Sequence, residues 1–527
     1  MTTQLEGTSI IGYTRSTASA SIQHGHNAAT GEQLEPGYHS ATNEETARAA
    51  ELAAAAFPAY RAKSAKQRAA FLRKIADNLE ALGDLLVQTV TTETALPEAR
   101  VKGERGRTCG QLRFFAEMIE EGSWVDARID RADAERKPAP KPDVRSMLRP
   151  LGPVAVFCAS NFPLAFSVAG GDTASALACG CPVVVKAHMS HPATAELCGT
   201  AVIEAAQATG MPEGVFSLLF GEGTRIGQAL VAHPAIKAAG FTGSRTGGLA
   251  LVKTAQSRPD PIPVYAEMSS VNPVFVLPNA LAQRGAQIAA GLHGSVTLGV
   301  GQFCTNPGLV LVPEGSAGDE LASGLAEKLR GTAPACMLNA TIFKSYSKIV
   351  AARSGDTRVR ALVTASNGER TASAALFATD TATFLANPDL AEEMFGPATI
   401  LIRYGKLGDT LEMVRHMEGN LTATIHAAPG DEEAAAKLVA ALETRVGRIV
   451  FNGYPTGVEV CQAMVHGGPY PATPDGRTTS VGGRAIERFV RAVCWQDSPE
   501  ELLPEELRDG NPRGIMRMVD GVRGREK

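Results

Sequence analysis

Val154-Ala-Val-Phe-Cys-Ala-Ser-Asn161-Phe-Pro163 is a short apolar run that stops abruptly at small and polar residues. Val154–Phe157 is too short for a helix and apolar at every position, so it reads as a strand covered on both faces. The same unit recurs downstream. Val183–Val185, Val215–Phe220 and Ile236–Phe241 read as further buried strands, and Ala169–Ala178 and Ala193–Ala208 between them as helices. The alternation predicts an α/β fold of parallel βαβ units with helices on both faces of the sheet. Ligands of such sheets bind beyond the carboxyl ends of the strands, so the residues just after each run carry the functional interest.

Upstream, residues 1–40 form a polar lead-in with short strands. Ser64-Ala-Lys-Gln67 is a capping box, and Phe71, Leu72, Ile75, Leu79 and Leu82 follow at helical spacing. A second amphipathic helix runs through Gln111–Ile119. Ser123–Pro150 is rich in proline and charge, which suits either a disordered linker or an arm that packs on another subunit. Downstream, a second βα-rich region begins near Glu267 and holds Asn272–Leu277, Leu309–Val312, Ala398–Ile402 and Arg448–Phe451. From Ser498 the chain turns charged and proline-bearing, a tail by composition. The predicted organisation is one domain from residues 1–122 and 151–265, a second from 266–465, an arm from 123–150 and 485–500, and a tail at 501–527.

Composition narrows the function. A chain of 527 residues has room for about three domains of ~150 residues. A net charge of −4 leaves no basic footprint for nucleic acid. No apolar run reaches the ~18 residues of a membrane span, and the N-terminus lacks the pattern of a secretory signal. Nine cysteines without framework spacing indicate free thiols in a reducing, cytoplasmic compartment.

Several residues stand where chemistry is expected. Cys304 lies in Leu298-Gly-Val-Gly-Gln-Phe-Cys-Thr-Asn-Pro-Gly308, where glycines let other groups approach the backbone closely. Asn161 follows the first strand and can offer its amide to an oxyanion. Lys186 follows the second, placed for the hydroxyls or phosphate of a nucleotide. Gly221-Glu-Gly-Thr-Arg225-Ile-Gly227 follows the third, and Phe241-Thr-Gly243-Ser244 the fourth, where backbone N–H groups open a helix onto phosphate. Glu267 is a lone carboxylate after an apolar segment, and Glu392-Glu393-Met-Phe395 is an acidic pair before an aromatic residue. His188 and His191 read as loop residues, and no metal site is assigned. Each feature alone has a mundane reading as turn, solvated charge or inert thiol. A thiol nucleophile with a carboxylate base suits acyl transfer to water.

Together and in this order, Asn161-Phe-Pro163, Lys186, Phe241–Ser244, Glu267, Gly301-Gln-Phe-Cys304, Glu393-Met-Phe-Gly-Pro397 and Phe451-Asn-Gly453 resemble the aldehyde dehydrogenase superfamily. The likeness runs from Asn27-Ala-Ala-Thr-Gly-Glu32 to about residue 496. It implies a Rossmann-type cofactor domain, an α/β catalytic domain and a small β element for oligomerisation. Cys304 would attack the aldehyde, Asn161 and the Cys304 N–H would hold the oxyanion, and Glu267 would activate water. Lys186, Gly243, Ser244, Arg225, Glu393 and Phe395 would bind NADP or NAD. The arm and a strand near Ala492–Gln496 would bridge subunits of a homodimer or homotetramer.

Within the family, Gly301–Gly308 and His466–Ser480 look like a bacterial branch that oxidises 2-oxoglutarate semialdehyde (2,5-dioxopentanoate) or long-chain fatty aldehydes. The first substrate is preferred here. A fatty aldehyde is the alternative, and CoA acylation is disfavoured because Glu267 supplies a base for water. A catalytically silent scaffold is disfavoured because nucleophile, amide and base are all present. Phe162, Phe166, Gln302, Phe303 and Thr305 are the candidate substrate-lining residues. Arg113 is either a clamp for a substrate carboxylate or a salt-bridged surface residue. Two departures from the family pattern stand out: Glu267-Met-Ser-Ser270 replaces the usual Glu-Leu-Gly-Gly, and Met189 replaces a glutamate common in NAD-dependent members. The second removes a repulsion against a 2′-phosphate, which favours acceptance of NADP.

Overall fold

The computed structural model describes residues 4–16 and 19–525. Its centre is a pair of seven-stranded sheets. In the first, Val264–Glu267, Ala238–Thr242, Val154–Phe157, Val183–Lys186 and Phe216–Leu219 run parallel in that spatial order. Ser9–Ile11 and Thr14–Ser16 from the polar lead-in add an antiparallel edge. The inner strands are buried along their whole length, as their uninterrupted apolar runs require. Helices Gly171–Cys179 and Pro192–Ala208 cover them close to where the sequence placed them. The register sets Phe157 beside Lys186 and Thr242 beside Glu267, so the strands end together along one rim.

The second sheet has the order Arg360–Val363, Ala375–Asp380, Ala398–Tyr404, Leu309–Pro313, Val274–Val276, Asn420–His426, Val446–Phe451. All but its first pairing are parallel. The expected strands Asn272–Leu277, Leu309–Val312, Ala398–Ile402 and Arg448–Phe451 each fall on one of these. Glu267 moves in the other direction: it was expected to open the second region, yet it ends a strand of the first sheet, hydrogen-bonded in register with Thr242. Val264-Tyr-Ala266 is only three apolar residues, too short to read as a strand by itself.

Ser64 caps helix Ala65–Ala81 with the reciprocal Gln67 bond. The Gln111–Ile119 pattern is the end of one longer helix, Glu98–Glu121. Its first half was hidden by charge, because Glu104 is buried there although ionisable.

The stretch 123–150 is no linker. Arg128–Asp130 and Val144–Pro150 enter a five-stranded sheet with Val490–Gln496, Arg517–Val519 and Val522–Gly524. The expected tail is correspondingly not free over its described residues, 501–525. Arg517–Val519 pairs in parallel with Arg128–Asp130, and Leu503, Leu507 and Ile515 are buried against Ile129 and Met147. A sheet this small cannot bury itself, and the few apolar residues of the charged segment supply its cover. An average over composition conceals them.

Candidate active site

The loop that carries Cys304 is shaped by its glycines. Gly299, Val300 and Gly301 take φ of +55°, +58° and +65°, a left-handed turn that costs a β-branched residue roughly 1–3 kcal/mol. A Cβ on Gly301 would lie 2.2 Å from the Gly396 carbonyl carbon. Only glycine lets this loop meet the Glu393–Pro397 segment, which Asn306 fastens by donating to Gly396 O at 3.1 Å. From the other side, Asn272 donates to Cys304 O and Asn306 O, both at 2.9 Å. Ser270 donates to Asn272 Oδ1 at 2.8 Å, and Leu421 N donates to Ser270 Oγ at 3.0 Å. The serine that departs from the usual glycine is thus a joint between the Glu267 strand and the second sheet.

Cys304 Sγ lies 3.5 Å from His466 Nε2, and the same nitrogen is 3.0 Å from Glu267 Oε1. Ser480 donates to Glu267 Oε2 at 2.9 Å and His466 N donates to Thr479 Oγ1 at 2.8 Å. Thiol, imidazole and carboxylate therefore meet at one point, the last two almost wholly enclosed. Burial alone would raise the Glu267 carboxyl. The charge of His466 and hydrogen bonds from His466, Cys304 and Ser480 outweigh it and hold the group below the ordinary carboxylate range. Burial first, and the charge of Glu267 second, push the Cys304 thiol well above its usual value. His466 Nε2 and the Glu267 carboxylate both face the thiol. Asn161 uses one of its two amide donors on Gln302 O, at 3.1 Å, beside the cysteine.

This point opens into a cleft of about 1790 Å³ between the two sheets, lined by Asn161, Lys186, Gly243, Ser244, Glu267, Cys304, Glu393 and Phe395. Lys186 is buried at the strand end and pushed down to about 8 by its removal from water. Among the described residues it has no carboxylate partner. Ser244 starts helix Arg245–Gln256, accepting from Gly247 N at 3.2 Å, so the helix N-terminus faces the cleft. Glu393 is pushed up to about 7 by burial, with Ser269 and the Ser270 backbone acting against it. His188 and His191 stack at 5.6 Å, and a ring nitrogen of His191 bonds Ala159 O at 2.9 Å, consistent with loop residues.

Three expected residues are placed differently. Arg225 is not among the residues lining the cleft; its guanidinium donates to Ala41 O at 2.9 Å and reaches Asn43. Gln302 is buried with both ends of its amide committed to backbone, at Gly299 O and Leu338 N, and Thr305 is buried beside it. They shape the loop. Phe162, Phe166 and Phe303 do cluster next to the site, with Phe162 5.2 Å from Phe166 and 5.3 Å from Phe303, and Phe166 6.0 Å from His466. Arg113 takes the salt-bridged reading, bound to Glu80 and Asp77 at the surface.

His466, Ser480 and Asn272 were not read as functional. His466 and Ser480 lie in a long loop near the end of the chain, where neither periodicity nor strand ends give a signal. The segment was visible only as a family-like motif.

A model of the aldehyde dehydrogenase family matches residues 15–470. The chain is 50% identical over 98% of its length to alpha-ketoglutaric semialdehyde dehydrogenase 2 of Azospirillum brasilense, covering 99% of that protein. It is 48% identical to the alpha-ketoglutaric semialdehyde dehydrogenase of Acinetobacter baylyi, with 92% of each chain covered. Lactaldehyde dehydrogenase from Escherichia coli has the same fold, with a TM-score of 0.79 at 21% identity over 93% of this chain and 99% of that one. The chain belongs to the aldehyde dehydrogenase family.

Proposed function

We propose that the protein oxidises 2-oxoglutarate semialdehyde (2,5-dioxopentanoate) to 2-oxoglutarate with NAD(P)⁺, through a thioester on Cys304. The carrying observation is the meeting of Cys304, Glu267 and His466 at the inner end of the cleft. The choice of aldehyde rests on the full-length likeness to the Azospirillum enzyme. Cys304 Sγ adds to the aldehyde carbon, and the Asn161 amide with the Cys304 N–H receives the oxyanion. The nicotinamide group, when bound, accepts the hydride. Glu267 then takes a proton from water, which attacks the thioester and releases the thiol.

The cleft suits the cofactor. An uncompensated buried ammonium at Lys186 fits a ribose hydroxyl or phosphate, and the helix N-terminus at Ser244 fits a pyrophosphate. Glu393 and Phe395 would hold the nicotinamide riboside. Met189 in place of a glutamate removes one acid that would repel a 2′-phosphate, which favours acceptance of NADP⁺, although Arg225 does not contribute. A homodimer or homotetramer bridged by the five-stranded sheet, in a reducing cytoplasm suited to nine free thiols, completes the reading.

The test is kcat/KM across 2,5-dioxopentanoate, succinic semialdehyde, glutaraldehyde and decanal, with each cofactor and without CoA. 2,5-Dioxopentanoate is expected to lead. A lead for decanal would replace it with the fatty-aldehyde reading, and a requirement for CoA would remove water as the acceptor.

A further inference from the structure

Helix Glu98–Glu121 presents Arg100, Glu104, Arg107 and Gln111 on one face, at the i, i+4, i+7 and i+11 spacing of successive turns. The two arginines of this face are treated very differently. Arg100 is paired with Glu104 at 2.6 Å, and Glu104 also accepts from Leu164 N and Ala165 N. Arg107 has no carboxylate partner among the described residues, and its Nε and Nη2 are shut off from solvent with no hydrogen-bond partner. Its guanidinium lies over aromatic rings, 5.0 Å from the centre of Phe166 and 5.9 Å from that of Phe162. Phe166 in turn packs beside His466. Burial lowers the guanidinium, and the charges of Glu104, Cys304 and Glu267 act on it in the opposite direction. Ala159, Ala165, Val481, Val458, Val460 and Met464 pack with the same phenylalanines.

Leaving charged donors buried and unbonded is costly, and burial of a cation is tolerated where an anion completes it. Here the cation lies over Phe166, which packs beside the His466 that faces the reacting thiol. We propose that Arg107 is the carboxylate receptor of the substrate site, binding the acid end of an ω-oxo carboxylate whose aldehyde end meets Cys304. Phe162 and Phe166 pack against the guanidinium, and its partnerless Nε and Nη2 are the donors offered to the two carboxylate oxygens. One turn on, Gln111 Nε2 is also buried without a partner on the same helix face. The proposal rests on the oxidation of a carboxylated aldehyde argued above and names the residue that selects it. It also assigns the opposite roles to two arginines of one helix: Arg113, six residues later, is turned about 120° away and tied up at the surface.

The experiment compares matched aldehydes with and without the carboxylate, 5-oxopentanoate against pentanal and succinic semialdehyde against butanal, in wild type, Arg107→Met and Arg107→Lys. The ratio of kcat/KM for the charged over the uncharged member is expected to fall about 100-fold in Arg107→Met. In Arg107→Lys, which keeps charge and loses the fork, it should fall by less. An unchanged ratio in either variant, including equal losses on both members, would make Arg107 a packing residue and overturn the proposal. Should Arg107→Met not fold, the ratio in Arg107→Lys decides alone. The same runs with 2,5-dioxopentanoate separate the two ideas. If wild type prefers 5-oxopentanoate to it while the Arg107 ratio still collapses, the assigned substrate fails and the carboxylate receptor stands.

Discussion

The two large sheets bring their residues to the cleft from opposite ends. In the first, Asn161, Lys186, Ser244 and Glu267 all stand at or just beyond the carboxyl ends of parallel strands. In the second, Asn272, Cys304 and Glu393 with Phe395 precede Val274–Val276, Leu309–Pro313 and Ala398–Tyr404, so they lie at the amino ends. A site built this way is an interface between two units. The first sheet supplies the rim used by open α/β sheets for nucleotides, and the second contributes a nucleophile held by backbone packing and asparagine side chains.

Substitutions on the two sheets should have different consequences. The largest effect is expected from Cys304→Ala, which should lower turnover by at least ~10⁴-fold while cofactor affinity stays close to wild type. Steady-state rates and a fluorescence titration check the two halves. If affinity collapses as well, the second sheet's loop is structural for the whole cleft and the division is lost. A smaller effect is expected on the first sheet's rim. Lys186→Met should weaken NAD(P)⁺ binding about tenfold, one charge-assisted hydrogen bond, with little change in the rate at saturating cofactor. A fall in saturating rate equal to the loss in affinity would move Lys186 out of the binding role.

How much of this was legible follows from the same contrast. Strand ends located Asn161, Lys186 and Ser244 because buried parallel strands announce themselves as continuous apolar runs. That rule has no purchase on the second sheet, where Cys304 was recognised through family likeness and glycine density. Glu267 was placed in the wrong sheet because its strand carries too few apolar residues to read alone. His466 and Ser480 meet Glu267 across about two hundred residues of chain through a loop with no local periodicity. Gln302 looked like a substrate contact from its neighbourhood, but its amide is spent on the main chain. Arg107 lay outside the helix read from the sequence, which began at Gln111, so only Arg113 was weighed as a clamp, and Arg113 is the one tied up by Glu80 and Asp77. The five-stranded sheet shows the same limit, since its buried Leu507 and Ile515 lie in a segment that composition alone makes a tail.

In the proposed reaction Cys304 carries the acyl group and Glu267 releases it to water. The direct test is mass analysis of Glu267→Gln quenched during reaction with 2,5-dioxopentanoate and NAD(P)⁺. One burst of reduced cofactor per active site is expected, with a mass increase equal to the acyl group on the peptide that contains Cys304. Full turnover with an unmodified Cys304, or an acyl group on another residue, would contradict it.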